Sequence, residues 1–233
     1  DAYRFALMIA GALIIGSSLL LLRLRDPQQG MVHAPAMTDQ FQIPWLKLVW
    51  LSSPLLLFGF TGGLTFPFYN LFFRTTYAAS DQAVGTILSL GWIGMALVPL
   101  GNPAWEKRYG RVCAIALAMA VAAAAFLGLS LAPVLVPGVI CYVVAISFRN
   151  MMQPLFQPLL MSTLPPEHHN LTSSIAMVQW NIGWFAATAI SGVWQADHGF
   201  DFIMRVVAAG VFLNGALIVW VFRRTANPNP QAG

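Results

Sequence analysis

Long runs of apolar residues alternate with short polar stretches along the whole chain. A helix needs about 20 mostly apolar residues to cross the hydrocarbon core of a bilayer. Seven runs come close to this length, and charged, polar or proline-containing residues separate them. The pattern therefore predicts seven transmembrane helices, over residues 5–22, 46–73, 84–100, 112–131, 137–160, 171–194 and 202–222.

The composition indicates a membrane rather than a water-soluble core. The chain is 58% hydrophobic and 9% charged, whereas about a quarter of the residues in a soluble domain carry charge. The net charge of +4 does not indicate a nucleic-acid surface, because the basic residues lie between the apolar runs. We therefore expect an all-α integral membrane protein, a polytopic helical bundle whose partner is the lipid bilayer and not a nucleic acid.

No metal, cofactor or enzymatic activity is predicted. Cys113 and Cys141 lie inside apolar runs, where cysteine usually serves as a small packing residue. The run Glu167, His168 and His169 follows two prolines and has no matching ligands elsewhere, which is typical of a solvated turn. The sequence contains no Gly-x-Ser-x-Gly motif and no histidine inside an apolar run, so it does not resemble a membrane-embedded hydrolase.

Lysine and arginine residues concentrate on one set of polar stretches. Short cytoplasmic loops carry most such residues in membrane proteins. If the first run leads inward, only Arg4, Arg74 and Arg205 are left for the outer ends. The bias predicts a cytoplasmic C-terminus and places the following residues inside: Arg23, Arg25, Lys47, Lys107, Arg108, Arg111, Arg223 and Arg224.

Glycine and proline residues interrupt the second and fifth runs. Both residue types weaken the hydrogen-bond ladder of a helix, and broken helices in membranes occur where protein or water satisfies the backbone. We predict helix bending at Gly62, Gly63 and Pro67 in the second run and at Pro154 in the fifth. The alternative is that Gly59 and Gly63 form a small-residue packing seam against a neighbouring helix.

Polar residues also recur at a four-residue spacing in the second run. Thr61, Thr65 and Tyr69 would share one stripe of a helix. This stripe is in a position to face a cavity. In the sixth run, Trp180 and Trp184 with neighbouring amides could either line such a cavity or pack between helices.

Arg149 lies near the middle of the fifth run. A charge at that depth costs about 3 kcal/mol or more unless it faces the bundle interior and finds a partner. Asn150, Gln153 and Gln157 fall on the same side of the helix. This polar side either lines an aqueous cavity or reflects a structural arginine that bonds carbonyls released by nearby prolines.

None of the seven runs contains an acidic residue. The counter-charge of Arg149 could therefore be an acid on a segment outside this chain, an anionic group of a substrate, or only neutral acceptors. Proton coupling usually needs a carboxylate or histidine inside the membrane, and these runs supply neither.

The stretch between the third and fourth runs resembles a known signature. Its end, Arg108-x-Gly110-Arg111, resembles the loop pattern G-x-L-x-D-R-x-G-R of the major facilitator superfamily. The stretch departs from that pattern at three positions, where it has Pro103, Trp105 and Lys107. Because Lys107 replaces the aspartate, the charge-relay role of this loop does not carry over directly.

The rest of the chain resembles helices 6 to 12 of that twelve-helix family. The residues that carry the resemblance, which is to bacterial efflux-type members, are Phe148–Asn150, Gln153–Pro154, Leu164–Glu167, Gln179–Trp184 and Gly192. The resemblance implies four parts: residues 1–26 as the last helix of the N-terminal half, 27–44 as the cytoplasmic linker, 45–225 as the C-terminal six-helix domain and 226–233 as a cytoplasmic tail.

This resemblance implies secondary active transport by alternating access. We expect efflux of a small organic molecule across the bacterial cytoplasmic membrane, with an N-terminal six-helix half as the missing partner. The third and sixth runs would contact that half. The implied substrate-binding residues are Tyr69, Asn70, Arg149, Asn150, Gln153 and Gln157, and the implied cytoplasmic gating loop contains Arg108, Gly110 and Arg111.

Two alternatives stay open at this point. A seven-span receptor-like protein has the same helix count, although no run has a lysine in its interior that could form a Schiff base, since Lys47 lies at the edge of the second run. The chain also begins at Asp1 with no methionine, so we expect a piece of a longer protein. By itself it could be an inactive, truncated half-transporter.

Overall fold

A computed structural model of the chain describes Met8, Gly11, Ile15, Gly16 and residues 44–223. Residues from 44 onward belong to one compact unit, separate from residues 1–43. Most of the first predicted span, the predicted linker 27–44 apart from Pro44, and the tail predicted over 226–233 lie outside the described residues. The four described residues of the first span are all helical, and Met8, Ile15 and Gly16 are exposed.

Helices account for nearly all of residues 44–223, and no strand occurs there. The prediction of an all-α helical bundle is confirmed. Short 3-10 turns cover Phe66–Phe68, Val98–Gly101 and Pro166–His168. We number the α-helices in chain order: α1 Trp45–Thr65, α2 Tyr69–Tyr77, α3 Asp81–Leu97, α4 Asn102–Tyr109, α5 Arg111–Leu131, α6 Leu135–Asn150, α7 Met152–Ser162 and α8 His169–Phe222.

Five helical stretches in the described part of the chain are long and apolar enough to cross a membrane. The last, Pro166–Phe222, has 57 residues and would be about 85 Å long if straight, far more than a bilayer core of about 30 Å. Gly199 divides it, because its φ of 77° and ψ of 173° are not helical. Residues 169–198 and 200–222 are therefore two limbs of α8, which match the sixth and seventh predicted spans.

The break between α1 and α2 falls at Pro67. Proline cannot donate a backbone hydrogen bond, so the carbonyl of Gly63 loses its helical partner. The hydroxyl of Thr188 on α8 donates to this carbonyl at 3.2 Å, and Ser191 donates to the carbonyl of Leu64 at 2.7 Å. Of the residues predicted to bend this span, Pro67 lies at the break, whereas Gly62 and Gly63 lie inside α1.

Three glycines let α1 and the first limb of α8 approach each other backbone to backbone. A Cβ added at Gly59 would overlap the carbonyl oxygen of Trp180, and one at Gly63 would overlap that of Trp184. A Cβ added at Gly183 would overlap the carbonyl oxygen of Leu56 in the opposite direction. These glycines form the glycine seam, which is the small-residue packing that membrane helices use for close contact.

The remaining helices pack around α8 and α6. The alanine-rich α5 contacts both α8 and α6, and α3 contacts α6. Tyr77, at the end of α2, donates to the carbonyl of Ala132 at 3.1 Å and so ties α2 to the turn after α5. The largest fully buried side chains are Phe72, Phe73, Phe126, Phe156 and Phe222.

The stretch predicted as a gating loop is mostly a helix. Residues Asn102–Tyr109 form α4, so Arg108 is helical, Gly110 is the turn and Arg111 begins α5. Pro103 explains the difference, because proline in the first turn of a helix costs no hydrogen bond and the residues after it are good helix formers. Gly110 makes the turn with φ of 76° and ψ of 156°.

We predict that Gly183→Ala destabilises the protein by separating α1 from α8. The added methyl group would meet the backbone of Leu56 and Phe60, which cannot move aside as a side-chain tip can. Overpacking of this kind costs about 1–3 kcal/mol. Thermal unfolding in detergent measures the loss. The matched control is Gly192→Ala on the same limb, where an added Cβ meets nothing within 4 Å; equal stability of the two variants would contradict the seam.

We also predict that Gly110→Ala destabilises the turn between α4 and α5. Nothing lies within 4 Å of an added Cβ there, so the penalty is purely conformational, about 1–3 kcal/mol for a region that side chains rarely adopt. Gly101→Ala is the control, since Gly101 also has open space but a φ of −76°. Chemical denaturation should distinguish the two; a Gly110→Ala protein as stable as Gly101→Ala would show that the turn is not strained.

Candidate functional site

Arg149 lies at the end of α6 and turns toward α1. Its side chain is 5% exposed. The Nη2 atom donates to the backbone carbonyl of Phe58 and, at 3.3 Å, to the hydroxyl of Thr61. The guanidinium carbon lies 3.8 Å from the centre of the Phe58 ring, a cation–π contact. The arginine therefore joins α6 to α1 inside the bundle.

The acceptors of Arg149 are neutral within the part of the chain that the structure describes. They come from α1 and not from the carbonyls four residues before Pro154 and Pro158. The Nε atom is buried and has no partner among the described residues. The guanidinium is positively charged but has no carboxylate partner among the described residues, and its Nε–H donor is unused.

Gly62 makes room for this arginine. A Cβ added there would lie 2.9 Å from Nη2 of Arg149 and 2.8 Å from the Trp184 ring. The guanidinium and the indole therefore occupy the space that a side chain would take. This is a role in close approach, and it explains a glycine at this position without any bend in α1.

Four aromatic rings extend from that point, from α8 across the 3-10 turn Phe66–Phe68 to α3. Trp180 and Trp184 on α8 have ring centres 5.3 Å apart, and Phe66 lies 5.8 Å from Trp184. Phe66 also lies 6.3 Å from Trp92 on α3, whose side chain is 62% exposed. We call these four residues the aromatic layer. It forms an apolar surface above the buried guanidinium.

The stripe predicted to face a cavity packs against α6 instead. Thr61, Thr65 and Tyr69 are each no more than 2% exposed. The Tyr69 hydroxyl donates to Thr65 at 3.1 Å, and its ring lies 4.8 Å from that of Tyr142. Tyr142 and Arg149 cover the stripe, so a helical spacing of polar residues marked a contact between helices rather than an open surface.

An open cleft lies between α1, α7 and the first limb of α8. Its volume is about 670 Å³. Gln153 and Gln157 are exposed in it, and Gln157 donates to Ser173 at 3.3 Å. The amide cleft, as we call it, is lined by Leu55, Gln153, Pro154, Phe156, Gln157, Ser173, Ala176, Met177 and Trp180.

The structure does not bring all six predicted binding residues together. Gln153 and Gln157 line the amide cleft, whereas Arg149 and Tyr69 are buried beside α1 and α6. Asn150 is half-buried and donates to the carbonyl of Met95 on α3 at 3.3 Å. Asn70 is exposed on α2 and does not line the cleft.

The joint between α6 and α7 lies at Met151, three residues before Pro154. Pro154 lies in the first turn of α7. The side chain of Asn102 on α4 donates to the Met151 carbonyl at 3.3 Å, although Asn102 is far away in sequence. The joint is therefore bonded to α4, the helix that ends at the turn predicted to act in gating.

The turn itself carries an ion pair. Arg111 donates from Nε to the Glu106 carboxylate at 2.8 Å. The acid of this ion pair, Glu106, lies next to Lys107, which stands at the aspartate position of the signature. Arg108 is exposed, and its guanidinium lies 5.3 Å from the Tyr109 ring centre.

Sequence reasoning missed Phe66, Trp92 and Asn102. Phe66 and Trp92 lie inside apolar runs, where an aromatic residue that faces a cavity looks the same as one that faces lipid. Asn102 had a weak signal, since an amide beside an apolar run often bonds across helices.

The chemistry available here is recognition. The amide cleft offers two carboxamides, a hydroxyl and the indole of Trp180, whose Nε1 is buried without a partner among the described residues. Amides can donate and accept hydrogen bonds, and an indole can stack on a flat ring. Such a set can hold a small organic molecule.

Comparison with known proteins agrees with this fold. The family model of the Major Facilitator Superfamily matches residues 2–188 and residues 55–233. No curated protein matches the chain. The family match supports membrane transport, and five helical stretches of the described residues are long and apolar enough to cross a membrane. The chain belongs to the major facilitator superfamily, whose members are multi-pass membrane transporters and not enzymes.

Proposed function

We propose that this chain is the C-terminal half of a twelve-helix secondary transporter that exports a small organic molecule by alternating access. The observation that carries the proposal is the amide cleft, in which Gln153 and Gln157 are exposed within a membrane crossing. Polar side chains in a crossing face the bundle interior or a water-filled cavity, because contact with lipid is costly. The cleft is therefore the substrate-binding surface of this half.

A second half would complete the site. In the stretch Asp81–Tyr109, which contains α3, only 17% of the most apolar segment is buried, against 67% in Trp45–Tyr77, which contains α1 and α2. Trp92 on α3 and Phe185 on α8 are 62% and 76% exposed. We propose that an N-terminal six-helix half covers α3 and the first limb of α8. Residues 1–26 would be the last helix of that half, 27–44 the linker, 45–225 this domain and 226–233 its tail.

The charges at the helix ends support a cytoplasmic C-terminus in the bacterial cytoplasmic membrane. Following the chain up and down, Lys47, Lys107, Arg111 and Arg223 lie at one end of the bundle, and Arg205 lies near the other. Basic residues concentrate on the cytoplasmic side. The gating turn at Gly110 would then be cytoplasmic, where its closure blocks access from inside.

Arg149 would contact the substrate through its unused Nε–H donor and would transmit this contact to α1. Its unpartnered Nε and its bond to the Phe58 carbonyl leave it able to exchange a neutral acceptor for an anionic group of a substrate or of the other half. Such an exchange would weaken the contact between Arg149 on α6 and Phe58 on α1, in the helix that ends just before the break at Pro67. Binding in the site and movement of α1 would then be linked.

The coding sequence upstream of Asp1 tests the half-transporter proposal. We expect about five further apolar spans, preceded by a closer copy of the Arg-x-Gly-Arg signature. An initiation codon immediately before Asp1 would contradict the proposal and favour an inactive or dimerising half.

We predict that Arg149→Gln abolishes transport by the full-length protein without preventing membrane insertion. Glutamine keeps an uncharged amide donor on a shorter side chain, so it carries no charge for a substrate or a counter-carboxylate. Uptake of fluorescent aromatic dyes into inverted vesicles measures export, and protein in the membrane fraction measures insertion. Arg205→Gln is the control, because Arg205 is exposed on the second limb of α8. Normal dye transport by the Arg149→Gln protein would defeat this role.

We predict that Gln153→Ala and Gln157→Ala each raise the KM for a transported dye by about 2- to 10-fold, since one neutral hydrogen bond contributes about 0.5–1.5 kcal/mol. Membrane abundance should not change, because both side chains are exposed. Gln82→Ala provides a control with an exposed amide at the start of α3, outside the cleft. If the cleft variants keep the KM of the control, the substrate binds elsewhere.

A further inference from the structure

Another concave surface lies on the second limb of α8. It is a groove of about 430 Å³ between α5 and the second limb of α8. The groove shares no residue with the amide cleft. It is lined by Ala116, Phe212, Gly215, Ala216, Val219, Trp220 and Arg223.

Small residues create this groove. Gly215 lets α5 and α8 approach so closely that an added Cβ would lie 2.9 Å from the Cβ of Met119. Ala116 and Ala216 leave a channel above that contact, and the rings of Phe212 and Trp220, 59% and 63% exposed, form its walls. An apolar channel on a membrane-spanning surface suits a flexible hydrocarbon chain, because an empty channel loses dispersion contacts.

One end of the groove is positively charged. Arg223 follows the last residue of α8, is exposed and forms no ion pair within residues 44–223. Trp220, one turn earlier, meets Trp50 of α1 edge to face, with ring centres 5.1 Å apart. Lys47 lies one turn before Trp50 and is also exposed. At this end of the bundle, each of the two indoles therefore has a cation one turn closer to the helix end.

We propose that this groove binds an anionic phospholipid. One acyl chain lies along Ala116, Gly215 and Ala216, and the phosphate binds Arg223, whose planar guanidinium matches phosphate geometry. Trp220 and Trp50 lie at the level between acyl chains and headgroups, where indoles concentrate in membrane proteins. Lys47 adds a second positive charge, which favours a lipid with a net negative charge over a zwitterionic lipid.

Quenching by brominated lipids tests this proposal at the groove itself. The full-length protein is reconstituted in vesicles that contain dibrominated phosphatidylglycerol or phosphatidylcholine as a minor component. The difference in fluorescence between the protein and its Trp220→Phe variant reports Trp220. We expect phosphatidylglycerol to half-quench Trp220 at a mole fraction about fivefold lower, the factor that one charge near a membrane surface gives, and high salt to reduce this preference.

Variants separate the two parts of the site. Arg223→Gln should remove most of the preference for phosphatidylglycerol, whereas Arg205→Gln, near the other end of the same limb, should keep it. Ala216→Phe should fill the groove and reduce quenching by both lipids; Ala209→Phe, two turns away on the same face, is its control. Equal quenching by the two lipids would overturn the proposed specificity, and no quenching by either would show that protein covers the groove.

Discussion

The close contact between α1 and the first limb of α8 determines most of the geometry around the site. Gly59, Gly63 and Gly183 bring the two backbones together, and this nearness lets Thr188 reach the carbonyl that Pro67 leaves without a donor. A broken helix is stable in a membrane only if its freed backbone groups find partners. The seam therefore makes the break possible, and the break places Phe66 in the aromatic layer.

The polar elements of this bundle are divided between its interior and its open face. Arg149 is enclosed by Phe58, Thr61 and the space at Gly62, and it fastens α6 to α1. Gln153 and Gln157, one and two turns further along the same chain direction, remain open in the amide cleft. The joint at Met151 separates the two groups. A charge that holds helices together and amides that line an open cleft are thus adjacent on one broken helix.

Within residues 44–223 the sequence predicted the apolar helices well, because the bilayer imposes a length on every span and that constraint is local. It could not predict the partners of Arg149, because backbone carbonyls on another helix have no side-chain signature. The same limit applies to Gly183, because the need for a glycine there comes from the backbone of Leu56 on another helix. The helix α4 was predicted as a loop because its eight residues are mostly polar and give only a short helix signal. Trp92 was missed because hydropathy does not distinguish an aromatic residue that packs on Phe66 from one that faces lipid only.

Accessibility of the amide cleft tests the central claim most directly. A cysteine replaces Gln157 in a full-length protein that lacks Cys113 and Cys141, and Leu127→Cys on the exposed face of α5 serves as the lipid-facing control. A membrane-impermeant maleimide is then applied to each side of the membrane in turn. Our account predicts that position 157 reacts, that a transported dye protects it, and that position 127 does not react. Failure of position 157 to react from either side, or reaction unaffected by dye, would contradict it.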